Sequence, residues 1–277
     1  MATTNASARG PGARLGARRS GRREARALLL VHGFGCDQSV WDAMRPRLDE
    51  RYAVLSYDLA GAGASDPEAY DPARYRSLDA HVEDLLDLVR ESDLHEVVVV
   101  AHSIGATLTM LAAVAEPERF EALALIGASA RYVDDGAYHG GLTPGDVDEL
   151  LELMATNWEA WSAATAPHVM ANADRPELGT ALQERFLRFP ASAGQQLGEL
   201  TFRADVRAHV GALRVPTAFL QTSHDPVVPE TAATWLHEHV PGSEQVRLRA
   251  EGHLPQLADP EETAAAVLAF FARTVVD

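Results

Sequence analysis

Of the side chains able to act as nucleophile, base or acid, Ser103 has the most informative surroundings. It follows Val97-Val98-Val99-Val100-Ala101-His102 and precedes Ile104-Gly105. A continuous β-branched run reads as a strand buried on both faces, and the small-residue stretch 105–115 reads as a helix. A serine at that strand-to-helix turn is the arrangement of a nucleophile elbow. The turn strains the serine backbone, so its flanking positions must be small, and Ala101 and Gly105 are. The usual pattern has glycine where Ala101 stands, a mild departure. The free N–H groups and positive end of the following helix face any negative charge that develops at the serine. The chemistry implied is attack of a hydroxyl on a carbonyl carbon.

A serine needs a base, and the base needs an orienting acid. Eleven histidines make residue type alone uninformative. Position favours His253, in Glu251-Gly252-His253-Leu254-Pro255, after the last strand-like run and before the closing helix. His224, His237 and His239 are less well placed. Asp225, in Thr222-Ser223-His224-Asp225-Pro226, directly follows the run Thr217–Gln221 and completes the chain order Ser, Asp, His. Asp205 is the alternative acid and Asp58 a more distant contender. His32-Gly33-Phe34-Gly35 follows the first apolar run. Its backbone predicts half of an oxyanion hole, with Phe34 supplying one N–H and Ile104 the other; each such donor contributes about 3 kcal/mol. His32 itself reads as structural. A phosphate-binding loop is the rival reading of this glycine-rich segment, and the absence of a Walker lysine counts against it. Cys36 reads as a small packed residue rather than a nucleophile.

The elements that must position these groups alternate. Strands are expected at 27–31, 53–57, 97–100, 123–126, 217–221 and 245–248. Helices are expected at 38–48, 78–90, 105–115, 229–239 and 261–275. That alternation predicts an α/β fold with a mostly parallel central sheet and helices on both faces. From about 131 to 205 only helical stretches appear (150–154, 158–164, 178–189 and 195–202). This block reads as a lid inserted over the carboxyl edge of the sheet, where open α/β sheets bind ligands.

The formal charge is −16 and all 24 basic residues are arginine. Residues 1–26 hold seven arginines against one acid, leaving about −22 on the remainder. So acidic a surface argues against nucleic acid as a partner. Residues 1–26 read as a disordered Arg-rich tail, with residues 27–277 as the folded domain. Its arginine pairs resemble an export signal only superficially, because the apolar run 27–31 is too short. No run of about 18 apolar residues predicts a membrane span. The single cysteine gives neither an internal disulfide nor a cysteine-based zinc site. No metal or organic cofactor is expected, and a cytoplasmic monomer is the default.

Together, His32-Gly33-Phe34-Gly35-Cys36-Asp37-Gln38, the stretch 134–141 ending Tyr138-His139-Gly140-Gly141, and Glu251-Gly252-His253-Leu254-Pro255 resemble the RsbQ-type α/β-hydrolases. That group includes a bacterial stress-signalling regulator and the plant strigolactone and karrikin receptors. The similarity runs from about Ala27 to about Arg273. It implies an α/β-hydrolase fold, a Ser103–His253–Asp225 triad, and a four-helix lid over an apolar pocket for a small hydrophobic ester or lactone. It also implies pocket positions at Phe34, Tyr132, Trp161 and Phe202; spacing alone reads Trp161 and Phe202 equally well as lid core. Members commonly carry a β-hairpin before the first motif strand. Here the Arg-rich tail stands in its place, so the first sheet edge is expected to be incomplete. Two functions follow: a serine hydrolase of esters or lactones, or a ligand sensor of slow turnover that acts through a partner such as a protein phosphatase.

Overall fold

The computed structural model describes residues 10–275. Seven strands form one sheet: β1 (Arg18–Gly21), β2 (Ala27–Val31), β3 (Ala53–Ser56), β4 (Val97–His102), β5 (Phe120–Ile126), β6 (Thr217–Gln221) and β7 (Glu244–Arg247). Their spatial order is β1-β3-β2-β4-β5-β6-β7. Only β1 runs antiparallel to its neighbour. The valine run is now explained: β4 is central and buried at all six positions. Its residues alternate between two cores. Val97, Val99 and Ala101 join Leu29, Val31 and Leu123 on one face. Val98 and Val100 join Leu28, Leu30 and Ala124 on the other.

Helices cover both faces. In chain order they are α1 (Pro11–Arg14), α2 (Arg45–Asp49), α3 (Leu78–Glu91), α4 (Ile104–Ala115), α5 (Pro144–Thr156), α6 (Trp158–Met170), α7 (Pro176–Arg188), α8 (Ala191–Phe202), α9 (Arg207–Val210), α10 (Glu230–His239), α11 (Pro255–Ala258) and α12 (Pro260–Thr274). Leu85, Leu88, Leu108 and Leu236 bring α3, α4 and α10 onto the first face. Leu48, Val267, Phe270 and Phe271 bring α2 and α12 onto the second. Helices α5 to α8 form the insertion between β5 and β6. A reciprocal capping box between Thr143 and Asp146 starts α5, and Asn157 caps α6. The chain passes from β2 out to β3, then returns across β2 to β4. The crevice where that order reverses is where such sheets bind ligands. Val31 pairs with Ala101, so the loops after β2 and β4 leave the sheet side by side.

Three expectations need correction. Residues 10–26, read as part of a disordered tail, form α1 and β1, and Leu15 is fully buried; residues 1–9 lie outside the described residues. The sheet edge is therefore not missing: β1 pairs with β3 from Arg18↔Ser56 to Gly21↔Ala53. The signal was hidden because β1 is a polar edge strand stabilised by its backbone pairing, while Arg18 and Arg19 point to solvent. The single helix expected at 38–48 is instead a 3₁₀ turn, Gln38–Trp41, followed by α2. Pro46 lacks an N–H and fits only the first turn of a new helix. Among the described residues no helix is long and apolar enough to cross a membrane.

The N-terminal segment is thus part of the folded unit. Leu15→Ala should lower the unfolding free energy by about 2–4 kcal/mol in urea titration. An unchanged midpoint would mean that residues 10–17 do not pack as described.

Candidate active site

Ser103 caps α4 with φ 56° and ψ −125°, in the left-handed half of backbone space. Its N–H donates to Ile126 O at 2.9 Å and its carbonyl accepts from Ala106 N at 2.8 Å. Two glycines allow this geometry. A Cβ on Gly105 would lie 2.4 Å from His32 O, and one on Gly33 would lie 3.0 Å from Ser103 Cβ. The backbone of the β2 loop therefore abuts the serine directly. Ala101, in place of the usual glycine, is accommodated because its side chain joins the core of the first face.

Asp225 and His253 come together from the loops after β6 and β7. His253 Nδ1 donates to Asp225 Oδ2 at 2.9 Å, and Asp225 Oδ1 accepts the N–H groups of Val227 (2.8 Å) and Val228 (3.0 Å). Burial pushes the Asp225 carboxyl up, but the adjacent His253 and these hydrogen bonds outweigh it and hold the carboxyl below its ordinary value. Gly127, at φ 56°, lets the chain pass: a Cβ there would lie 2.9 Å from His253 Cε1. The His253 peptide is held from two directions. Its N–H donates to Val169 O of α6 at 2.9 Å, and its carbonyl accepts from His102 Nε2 at 2.9 Å. His253 Nε2 is buried and has no partner among the described residues. Ser103 Oγ is turned toward Tyr132 OH, 3.4 Å away, rather than onto that nitrogen.

Ile104 begins α4, so its N–H has no acceptor inside the helix. Neither the Phe34 nor the Ile104 N–H meets an acceptor among the described residues. Ile104 follows Ser103 in the chain, and Phe34 follows Gly33, whose added Cβ would lie 3.0 Å from Ser103 Cβ. Above them lies a small cavity of about 40 Å³ with a largely apolar lining. Phe34, Tyr132, Trp161 and Phe202, singled out in the sequence, all line it together with Ser103 and His253. The Phe34 ring lies 5.9 Å from Trp161 and 6.0 Å from Phe202. The stretch 138–142 supports Tyr132: Tyr138 OH donates to Arg131 O at 2.7 Å and Leu142 N to Tyr132 O at 3.0 Å.

Sequence reasoning missed His102 and Phe186. Phe186 lies 4.9 Å from Trp161 and lines the pocket from α7; its helical spacing signalled only a buried face. The competing candidates have other partners. His32 accepts from Leu59 N at Nε2 and donates from Nδ1 to Gly33 O, a neutral structural ring. Asp58 accepts from Gln38 and Ala64. Asp205 pairs with Arg131 and Arg207. Burial pushes the Cys36 thiol up to about 12, so it is not the nucleophile of a neutral-pH reaction. His237 and His239 lie on α10, bonded to Ser243 and to the Trp235 carbonyl. Among the described residues no group of three or more His, Cys, Asp or Glu side chains is arranged to hold a metal ion.

Comparison with known proteins gives a consistent result. Residues 28–266 match the model of the alpha/beta hydrolase family. The chain is 37% identical over 240 residues to strigolactone esterase D14 of Arabidopsis thaliana, covering 86% of this chain and 90% of the relative. It is 34% identical over 236 residues to karrikin insensitive 2 receptor CA of Petunia hybrida, covering 84% and 87%. Among solved structures, a hydrolase from Oleispira antarctica superposes with a TM-score of 0.91 at 27% identity, covering 95% of this chain and 96% of that one.

Two outcomes follow from this packing. A Cβ on Gly252 (φ 85°) would lie 1.9 Å from Met170 O. Gly252→Ala should therefore push the His253 loop off α6 and lower kcat on an activated ester at least about 10-fold. Retention of full activity would show that the loop is not held there. The second outcome concerns acid stability. Burial holds His81 down to about 4 and His102 down to about 3. Their folded values lie below the unfolded value of about 6.5, so the unfolded chain binds more protons below that pH. Stability should be full above pH ~6.5 and fall by up to about 1.4 kcal/mol per unit per histidine toward pH ~4. Urea midpoints from pH 7.5 to 4.5 test this; a flat profile would contradict it.

Proposed function

The chain belongs to the alpha/beta hydrolase family and is a hydrolase; from that premise we propose that it cleaves a small hydrophobic ester or lactone through an acyl-enzyme on Ser103. One observation carries the reading. A histidine clamped at Nδ1 by a buried carboxylate presents a bare Nε2 to the pocket that also holds a serine in a strained elbow.

Ser103 Oγ turns from Tyr132 toward His253 and attacks the carbonyl carbon, while Nε2 accepts the hydroxyl proton. Asp225 stabilises the imidazolium and fixes its tautomer. The carbonyl oxygen gains the displaced electron pair and lies between the Phe34 and Ile104 N–H groups. Collapse of the intermediate breaks the bond to the leaving oxygen, which takes the proton from Nε2. In a lactone that oxygen stays tethered to the acyl group. Water, deprotonated by the same nitrogen, then attacks the acyl carbon, and Ser103 regains its proton as the acid departs. Burial pushes the Tyr132 hydroxyl up, so it remains a donor across the working range. From that position it steers Oγ and the leaving oxygen. The aromatic lining favours an apolar acyl group and excludes a charged one.

A second reading has one finding in its favour: the petunia relative is named a receptor. On that reading the same chemistry is slow, and a signalling partner reads the occupied lid.

Steady-state kinetics on p-nitrophenyl acetate and a synthetic butenolide test both. Ser103→Ala should reduce turnover to background, and Asp225→Asn should lower kcat by about 10⁴-fold with the fold intact. Full activity of either variant would overturn the mechanism. Rapid butenolide turnover without a retained adduct would exclude the sensor reading.

A further inference from the structure

His102 takes no part in the proton path, yet its ring lies where the two halves of the site meet. It is the last residue of β4, it is 2% exposed, and it lines the pocket floor beside Ser103. Its Nε2 lies 2.9 Å from the carbonyl of His253, and the two imidazoles are 4.7 Å apart between centroids. On its other side the ring presses on the oxyanion loop: a Cβ on Gly33 would lie 2.6 Å from His102 Nδ1. A carbonyl can only accept, so Nε2 carries the proton and Nδ1 is bare. That Nδ1 is buried and has no partner among the described residues. An apolar ring would fill this space without leaving a nitrogen unpaired. The polar ring therefore adds one thing to packing, a donor for the His253 backbone.

We propose that His102 is a positioning residue, a neutral wedge between the Gly33–Phe34 loop and the His253 loop that fixes the base relative to the oxyanion donors. The inference rests on the reading of Ser103 as nucleophile and His253 as base. The His253 peptide spans two layers. Val169 O of the lid helix takes its N–H, and His102, on the sheet, supplies the donor for its carbonyl. Asp225 fixes the tautomer and tilt of the imidazole at Nδ1. With the sheet-side anchor removed, the His253 carbonyl is left buried and unpaired. The peptide then turns, and Nε2 swings away from Oγ while its contact with Asp225 persists. Burial holds the His102 imidazole down to about 3, so the wedge keeps its single proton at neutral pH.

The geometry makes a distinction that packing alone does not. A glutamine amide at position 102 reaches the place of Nε2, whereas an asparagine amide reaches only that of Nδ1. The test compares His102→Gln, His102→Asn, His102→Phe and Ser103→Ala by kcat and KM on p-nitrophenyl acetate, with urea midpoints for each. His102→Asn and His102→Phe should lower kcat about 10- to 100-fold with KM changed less than about twofold, because the aromatic walls of the pocket are unchanged while the base is misplaced. His102→Gln should recover most of the loss. Asparagine and glutamine variants of equal activity would overturn the proposal, as would a phenylalanine variant with wild-type kcat. Losses that follow the urea midpoints, with KM rising in step, would reduce the residue to packing and also overturn it. The control separates the two levels: an active Ser103→Ala removes the underlying mechanism, whereas an inactive Ser103→Ala beside a fully active His102→Asn removes only this inference.

Discussion

A serine held at φ 56° carries roughly 1–3 kcal/mol of backbone strain, and the rest of the site is arranged around keeping it there. The strain is sustained because β4 and α4, on either side, are each packed into a core. Val97 to Ala101 are fully buried in the centre of the sheet, and Ile104 and Ala106 are fully buried at the head of the helix. Relaxing the turn would shift one of these elements through close-packed neighbours. The same constraint explains the two glycines. Gly33 and Gly105 mark where the β2 loop and α4 come closer than any side chain allows.

The electrostatics follow from dryness. The Asp225 side chain is only 1% exposed, yet it is ionised, because one imidazole and two backbone N–H groups satisfy its oxygens. A carboxylate so placed acts in a low-dielectric medium, where its hold on an imidazolium is much stronger than in water. The lid maintains that medium. Trp161 and Phe186 close the aromatic wall over Phe34. Helix α6 also reaches the His253 loop, whose N–H donates to Val169 O.

The residues with the strongest local constraints were those most legible in the sequence. The valine run, the Ser103 turn, and the His253 loop between the last strand and the closing helix each follow from a rule of local geometry, and in the structure Ser103 and His253 line one pocket. β1 was illegible because Arg18 to Gly21 present polar side chains on both faces of an edge strand. Its pairing is made by backbone atoms that sequence pattern does not describe. Phe186 was legible only as part of the helical stretch 178–189, since spacing shows that a face is buried but not what it is buried against. His102 is the subtler case. A histidine beside the nucleophile has no signature of its own, and only the position of the His253 carbonyl gives it a partner. Trp161 and Phe202 were ambiguous between lid core and pocket wall, and they serve as both.

The central claim is that Ser103 becomes acylated during turnover. The most direct measurement is acid quenching during reaction with a slow-deacylating aryl ester, followed by proteolysis and tandem mass spectrometry. The acyl mass should appear on the peptide containing Ser103, at the serine itself, and should decay at the rate of product release. An adduct confined to another side chain such as Cys36, or steady turnover with no adduct on Ser103 at any quench time, would contradict the mechanism.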